Sequence, residues 1–109
     1  SLAQHIDDVC RAMVSKGAQE VLLVGHSYAG MIITGVAERM PERLARLFYV
    51  DAFIPEDRQC ALDLMPPAFA ELFRRTAAAV GSGWKLPATD GHLDLWGLAP
   101  GLARDFVQQ

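Results

Sequence analysis

The 109-residue sequence lacks long apolar runs, clusters of basic residues and cysteines at metal-ligand spacing. Its apolar runs are short, whereas a membrane-spanning helix needs about 20 consecutive apolar residues. Lys and Arg do not cluster, and a net charge of −3 gives no electrostatic support for binding nucleic acid. The only two cysteines, Cys10 and Cys60, have no metal-ligand spacing. We therefore expect a globular cytoplasmic protein with reduced thiols and no metal.

The first half of the sequence predicts a β-α-β unit. Apolar residues at helical spacing predict an amphipathic helix over 1–16, which carries Leu2, Ile6, Val9 and Met13 on one stripe. Ser1 with Gln4 fits a capping box at its start, and Gly17 fits the left-handed position that ends a helix. A strand over 20–24, a helix over 28–40 and a second strand over 47–50 follow. The strand residues are consecutively apolar, which is typical of a parallel sheet covered on both faces.

The second half has a different character. It predicts a turn at 54–57, a short helical piece at 61–65 and a helix from Pro66 to about Val80. Residues 84–86 and 93–95 have the alternation of a hairpin, and Leu102 and Phe106 indicate a last helix. We therefore expect an α/β core over 1–54 and a mainly helical cap over 55–109.

The most informative motif is VGHSYAG at residues 24–30. It follows the apolar run VLLV and leads into the apolar MII, so a strand, a tight small-residue turn and a helix come in order. This is the setting of a nucleophile elbow, which presents a serine hydroxyl above the sheet edge. Ser27 is then the predicted acyl-accepting nucleophile, and the Tyr28 backbone N–H is the predicted oxyanion donor. The usual pattern has glycine at both flanking positions, and Ala29 departs from it by one methyl group.

Phosphate-binding motifs are the main rivals of this interpretation. Gly25 and Gly30 have the spacing of a P-loop, but Met31 and Ile32 stand where that loop requires Lys and Ser or Thr. The dinucleotide-binding pattern GxGxxG is absent as well. The segment therefore favours a nucleophilic serine over a phosphate cradle.

Partners for Ser27 are less well defined by the sequence. His5 is predicted to be solvated on the first helix, and His26 to pack beneath the turn. His92 follows Ser27 in chain order but falls in the cap-like segment, which makes it a weak candidate base. Asp51 ends the second strand at the same sheet edge as Ser27. Two interpretations of Asp51 stay open: an acid or pocket residue of the site, or a residue that caps the following loop.

Three segments resemble the α/β-hydrolase superfamily: LVGHSYAGM at 23–31, AERMPER at 37–43 and YVDAFIPED at 49–57. Within it, the chain is most similar to the small esterases related to plant methylesterases and hydroxynitrile lyases and their bacterial relatives. The resemblance implies a parallel-sheet core with an inserted cap, and a Ser–His–Asp triad without a cofactor. Ser27 matches the nucleophile and Tyr28 one oxyanion donor. The other oxyanion element, the acid and the base have no match here, so we expect a central fragment that is inactive alone.

The favoured function is hydrolysis of a small ester through an acyl-serine intermediate. Phe69 and Trp84 in the cap are expected to line an apolar substrate pocket. Two alternatives remain: a hydroxynitrile-lyase-like or other cofactor-free lyase on the same scaffold, and a non-catalytic protein that binds a small molecule. Homodimerisation of the full-length protein also stays open.

Overall fold

The computed structural model describes residues 1–86 together with Leu93, Asp94, Gly97, Ala99 and Gly101. Its elements are α1 (Leu2–Ser15), β1 (Val21–Ser27), α2 (Ala29–Arg39), a 3₁₀ turn (Pro41–Arg43), β2 (Leu44–Ala52) and α3 (Pro67–Val80). The chain divides into two compact units, Ser1–Met65 and Pro66–Gln109. The partition into a core over 1–54 and a cap over 55–109 stays a prediction.

Helix α1 has the ends that its sequence predicts. The Ser1 side chain caps its N-terminus. At the other end Gly17 takes a left-handed φ of +58°, which glycine adopts without a steric penalty. The Gly17 N–H donates to the Val14 carbonyl at 2.9 Å, and the Ala18 N–H donates to the Met13 carbonyl at 3.0 Å. These paired bonds form a Schellman motif, which ends the helix and turns the chain toward β1.

Strands β1 and β2 form a two-stranded parallel sheet and are connected through α2, as the β-α-β prediction requires. The pairing begins at Val21 with Leu44 and continues to Ser27 with Ala52. Both strands are longer than the apolar runs at 20–24 and 47–50, because backbone pairing continues through the polar residues at their ends.

Helices α1 and α2 cover one face of this sheet. The core beneath them is centred on Ile6, Met13 and Val36. Partly buried residues pack around this core: Leu2, Val9, Cys10, Ala18, Val21, Leu23, Ile32 and Leu44. The predicted stripe of α1 is therefore confirmed as its inward face.

The opposite sheet face is apolar and exposed. It carries Leu22 and Val24 from β1 and Phe48 and Val50 from β2, with relative exposures between 45% and 59%. Successive strand residues point to opposite faces, so these side chains alternate with those in the core. The coverage of both faces that the consecutively apolar strands predict is not seen in the described residues.

The second unit contains α3, which begins at Pro67 as the Pro-Pro pair predicts. Its buried residues are Ala70 and Ala77, whereas Phe69, Leu72 and Val80 are at least half exposed. The small residues of α3 thus make its packed face, and its large apolar residues remain accessible.

Two local predictions are wrong. Residues 61–65 form turns instead of a helical piece, and there the Asp63 carboxylate accepts the Cys60 N–H at 2.8 Å. Such a side-chain bond competes with the helical ladder. The hairpin is also absent where it can be checked, because 84–86 is not a strand, and Leu93 and Asp94 are helical. The predicted last helix lies outside the described residues.

Candidate active site

Ser27 occupies a sharp junction between strand and helix. It is the last residue of β1, and Tyr28 is the N-cap of α2. Its φ is +52°, in the left-handed region that non-glycine residues rarely adopt, and its side chain is exposed. Backbone strain of this kind costs on the order of 1–3 kcal/mol and is concentrated at functional sites. This geometry is the one that a nucleophile elbow requires.

Two glycines allow the backbone to pass close to the junction. A Cβ at Gly25 would lie 2.8 Å from the Ala29 carbonyl oxygen, and a Cβ at Gly30 would lie 2.1 Å from the Phe53 carbonyl oxygen. Both distances are shorter than real Cβ contacts. The small-residue requirement predicted at Gly25 therefore has a direct steric cause, whereas the requirement at Gly30 was missed because it depends on β2.

The end of β2 holds the junction in place. The Phe53 N–H donates to the Ser27 carbonyl at 3.0 Å. One helical turn into α2, the Thr34 hydroxyl donates to the Gly30 carbonyl at 2.8 Å. Because that proton is used, the Tyr49 hydroxyl, also 2.8 Å away, donates to Thr34. Sequence reasoning found none of these bonds, and the one-turn spacing of Gly30 and Thr34 is their only local signal.

The start of α2 provides a suitable environment for negative charge. The first N–H groups of a helix have no acceptor in the helical ladder, and the helix dipole places partial positive charge there. Tyr28, at this position, has an N–H that the ladder does not use. Its hydroxyl lies 3.2 Å from Nδ1 of His5, and the two rings meet edge to face. Helix α1 therefore contacts the junction, which no sequence pattern indicated.

Of the two histidines that the structure describes, one differs from expectation. His26 is exposed, so the prediction that it packs beneath the turn is wrong. Side chains alternate along a strand, and the buried side of β1 carries Val21, Leu23 and Gly25, so His26 points the other way. His5 is exposed as predicted but contacts Tyr28. His92 lies outside the described residues.

Asp51 lies at the same end of the sheet as Ser27. Its side chain is exposed and its φ is +43°. The sheet register passes from the pair His26–Val50 to the pair Ser27–Ala52, so Asp51 is an extra residue on β2. This is a β-bulge, which redirects the side chain of the extra residue.

The predicted pocket residues belong to the second unit. Phe69 lies on α3, and Trp84 follows it with 74% of its surface exposed. The Lys85 Nζ lies over the Trp84 ring, 4.9 Å from its centroid. Their role in lining a substrate pocket stays a prediction.

The described residues bring no three His, Cys, Asp or Glu side chains together in a way that could hold a metal ion. Cys10 and Cys60 are both free. No helix in the described part of the chain combines the length and apolar character needed to cross a bilayer.

Comparisons with known proteins show the family to which the chain belongs. Residues 1–109 match the model of the alpha/beta hydrolase family. The chain is 38% identical over 95 residues to a carbendazim hydrolyzing esterase of Nocardioides sp. (strain SG-4G), a match that covers 87% of this chain and 38% of that protein.

A solved structure is also similar: an extracellular alpha/beta-hydrolase from a Paenibacillus species, described as sharing structural and functional homology with tobacco salicylic acid binding protein 2. The TM-score is 0.76 at 26% sequence identity, and the match covers 92% of this chain and 47% of that one. The chain thus spans less than half the length of either relative. Together with the junction at Ser27, the match along the whole sequence identifies the chain as a member of the alpha/beta hydrolase family.

Proposed function

We propose that this chain carries the nucleophile of a serine esterase that acts on a small ester. The observation that carries the proposal is the left-handed, exposed serine between β1 and α2. Strained backbone conformations cluster at functional sites, and at Ser27 the strain coincides with the junction of a strand and a helix. The esterase named among the relatives supports the same reaction class.

In the proposed reaction, the Ser27 hydroxyl oxygen attacks the carbonyl carbon of the ester while a general base takes its proton. The carbonyl oxygen becomes an oxyanion, which accepts a hydrogen bond from the Tyr28 N–H. The bond from carbon to the alcohol oxygen then breaks, and the alcohol leaves with a proton. Water hydrolyses the acyl-serine and restores the hydroxyl. Removing one oxyanion donor costs about 100- to 1000-fold in rate in comparable sites.

The general base and the acid are proposed to be supplied as in the resembled family, by residues that follow the cap. The apolar rings of Phe69 and Trp84 are proposed to contact the substrate. No cofactor takes part in this reaction. A cytoplasmic location is part of the same proposal.

The experiment is covalent labelling of the full-length protein with a fluorophosphonate, which reacts with activated serines. We expect Ser27→Ala to abolish labelling and to lower ester turnover at least about 10⁴-fold, because triad nucleophiles contribute that much. Ser15→Ala is the matched control, since Ser15 is an exposed serine on α1 whose hydroxyl bonds only the Ala12 carbonyl. Labelling that persists in Ser27→Ala refutes the nucleophile assignment. Absence of labelling in the wild type favours the non-catalytic binding alternative.

A further inference from the structure

Two strained residues meet at one end of the sheet. In the described part of the chain, five non-glycine residues have a positive φ: Glu20, Ser27, Asp51, Arg58 and Ser82. Ser27 ends β1, and Asp51 precedes the last residue of β2 on the neighbouring strand. The coincidence at this edge is specific, because the second bulge of the sheet, at Ala45, has no left-handed residue. Bulges next to active sites commonly redirect a side chain.

The bulge places Asp51 on the strand next to Ser27, at the same end of the sheet. Neighbouring strands lie about 4.8 Å apart, and both Ser27 and Asp51 are exposed. The Phe53 N–H, two residues after Asp51, donates to the Ser27 carbonyl and keeps the two strand ends together. Within the described residues the Asp51 carboxylate has no hydrogen bond and no ion pair.

A carboxylate without a partner is unfavourable for the proposed reaction itself. Negative charge near a developing oxyanion raises its energy, since like charges repel. An ionised carboxylate can only accept hydrogen bonds, so a donor is the group that would offset this repulsion. A substrate that carries such a donor beside its carbonyl would satisfy Asp51 on binding.

We propose that Asp51 is a specificity-determining residue, which accepts a hydrogen bond from an N–H or O–H group near the scissile carbonyl of the substrate. The substrate class is therefore esters with a hydrogen-bond donor close to the reacting carbon. This inference rests on the proposed esterase function and names the substrate class of the same site.

The test uses matched ester pairs with the full-length protein. The acyl-side pair is p-nitrophenyl hydroxyacetate and p-nitrophenyl methoxyacetate. The alcohol-side pair is m-aminophenyl acetate and m-dimethylaminophenyl acetate. Within each pair methylation removes the donor, and comparing wild type with variant cancels the accompanying differences in size and intrinsic reactivity.

We expect wild-type kcat/KM to favour the donor-bearing ester in one pair. Asp51→Gly, which suits a left-handed φ, should reduce that preference roughly 10- to 100-fold, as expected for a hydrogen bond to a charged group. Asp51→Asn keeps an acceptor without the charge and should fall between. In both variants kcat/KM of the partner ester without the donor should not fall and should rise where the charge is lost, because the repulsion of the oxyanion is then relieved.

Glu20→Gly is the matched control. Glu20 is also acidic and exposed and has a φ of +53°, but it precedes β1 at the opposite end of the sheet. It should leave the preference unchanged.

Three outcomes overturn the proposal. If Asp51→Gly lowers kcat/KM for both members of a pair equally, the carboxylate acts on the common chemistry and not on a substrate donor. If Asp51→Gly alters the kcat/KM preference in neither pair, the role of Asp51 is confined to the turn. If Glu20→Gly has the same effect, the change comes from backbone relaxation.

Failure of the esterase proposal is distinguishable in the same assay. Turnover that persists in Ser27→Ala, or a wild type that cleaves none of the four esters, refutes the proposed function together with this inference. If Ser27→Ala is inactive but Asp51→Gly keeps the wild-type preference for the donor-bearing ester, only the role of Asp51 is refuted.

Discussion

At the scale of single residues, the backbone around Ser27 is constrained by what touches it. The Phe53 backbone contacts the junction twice: its N–H bonds the Ser27 carbonyl, and its carbonyl oxygen occupies the space beside Gly30. Gly30 has no positive φ, so it is needed there for its size and not for its conformational freedom. Gly17 is the opposite case, with a left-handed φ and open space around it.

This contrast gives a stability prediction. Gly30→Ala should lower the free energy of unfolding by about 3 kcal/mol, because the new methyl group meets backbone that cannot easily move. Gly17→Ala should cost only about 1 kcal/mol, the penalty for a left-handed Ala. Urea unfolding of the full-length protein measures both. Equal losses in the two variants would contradict the steric account of Gly30.

At the scale of secondary-structure elements, the position of the junction at Ser27 depends on how α2 is attached to β2. The Thr34 and Tyr49 hydroxyls form this link across the helix–strand interface, and both residues are partly buried. A half-satisfied pair in such a place is unfavourable, since one hydroxyl keeps its desolvation cost without its partner. Each hydroxyl therefore contributes to stability mainly while the other is present.

A double-mutant cycle tests this coupling. Thr34→Val and Tyr49→Phe should each cost about 1 kcal/mol of unfolding free energy, and the double variant should cost less than the sum. The expected interaction energy is about 0.5–1.5 kcal/mol. Additive losses, measured by chemical unfolding, would show that the two hydroxyls stabilise the fold independently.

At the scale of the whole molecule, the first unit has one covered and one uncovered sheet face. The exposed apolar face formed by Leu22, Val24, Phe48 and Val50 is of the kind that marks contact surfaces or promotes aggregation. Within the part of the chain that the structure describes, the two parallel strands also leave both sheet edges unpaired. The 109-residue chain by itself should therefore associate with other copies.

Adjacent leucines provide a matched test of this expectation. Leu22→Lys should reduce self-association of the isolated chain in sedimentation velocity experiments and keep its helical circular dichroism, because Leu22 is 59% exposed. Leu23→Lys should unfold the chain instead, since Leu23 packs against the core of α1 and α2. Unchanged association in Leu22→Lys would exclude this face as the cause.

The sequence alone was enough for the elements whose signals are local. The stripe and the end signals of α1, the helix start at the Pro-Pro pair and the strand–turn–helix order around Ser27 all depend on residues within a few positions of one another. The predictions of a hairpin over 84–95 and of a helical piece at 61–65 were wrong because their local signals are weak. Weak alternation and short apolar runs do not outweigh competing turn and side-chain bonds.

Periodicity and end signals thus determined which segments become helix or strand, and they located Ser27 at their junction. Only the tertiary structure decided that the Phe53 carbonyl fills the space beside Gly30, that His5 contacts Tyr28, and that a bulge at Asp51 pairs Ser27 with Ala52. Those contacts join residues more than twenty positions apart. Their geometry depends on strand register and on how helices pack, and a shift of one residue would point each side chain to the other face of the sheet.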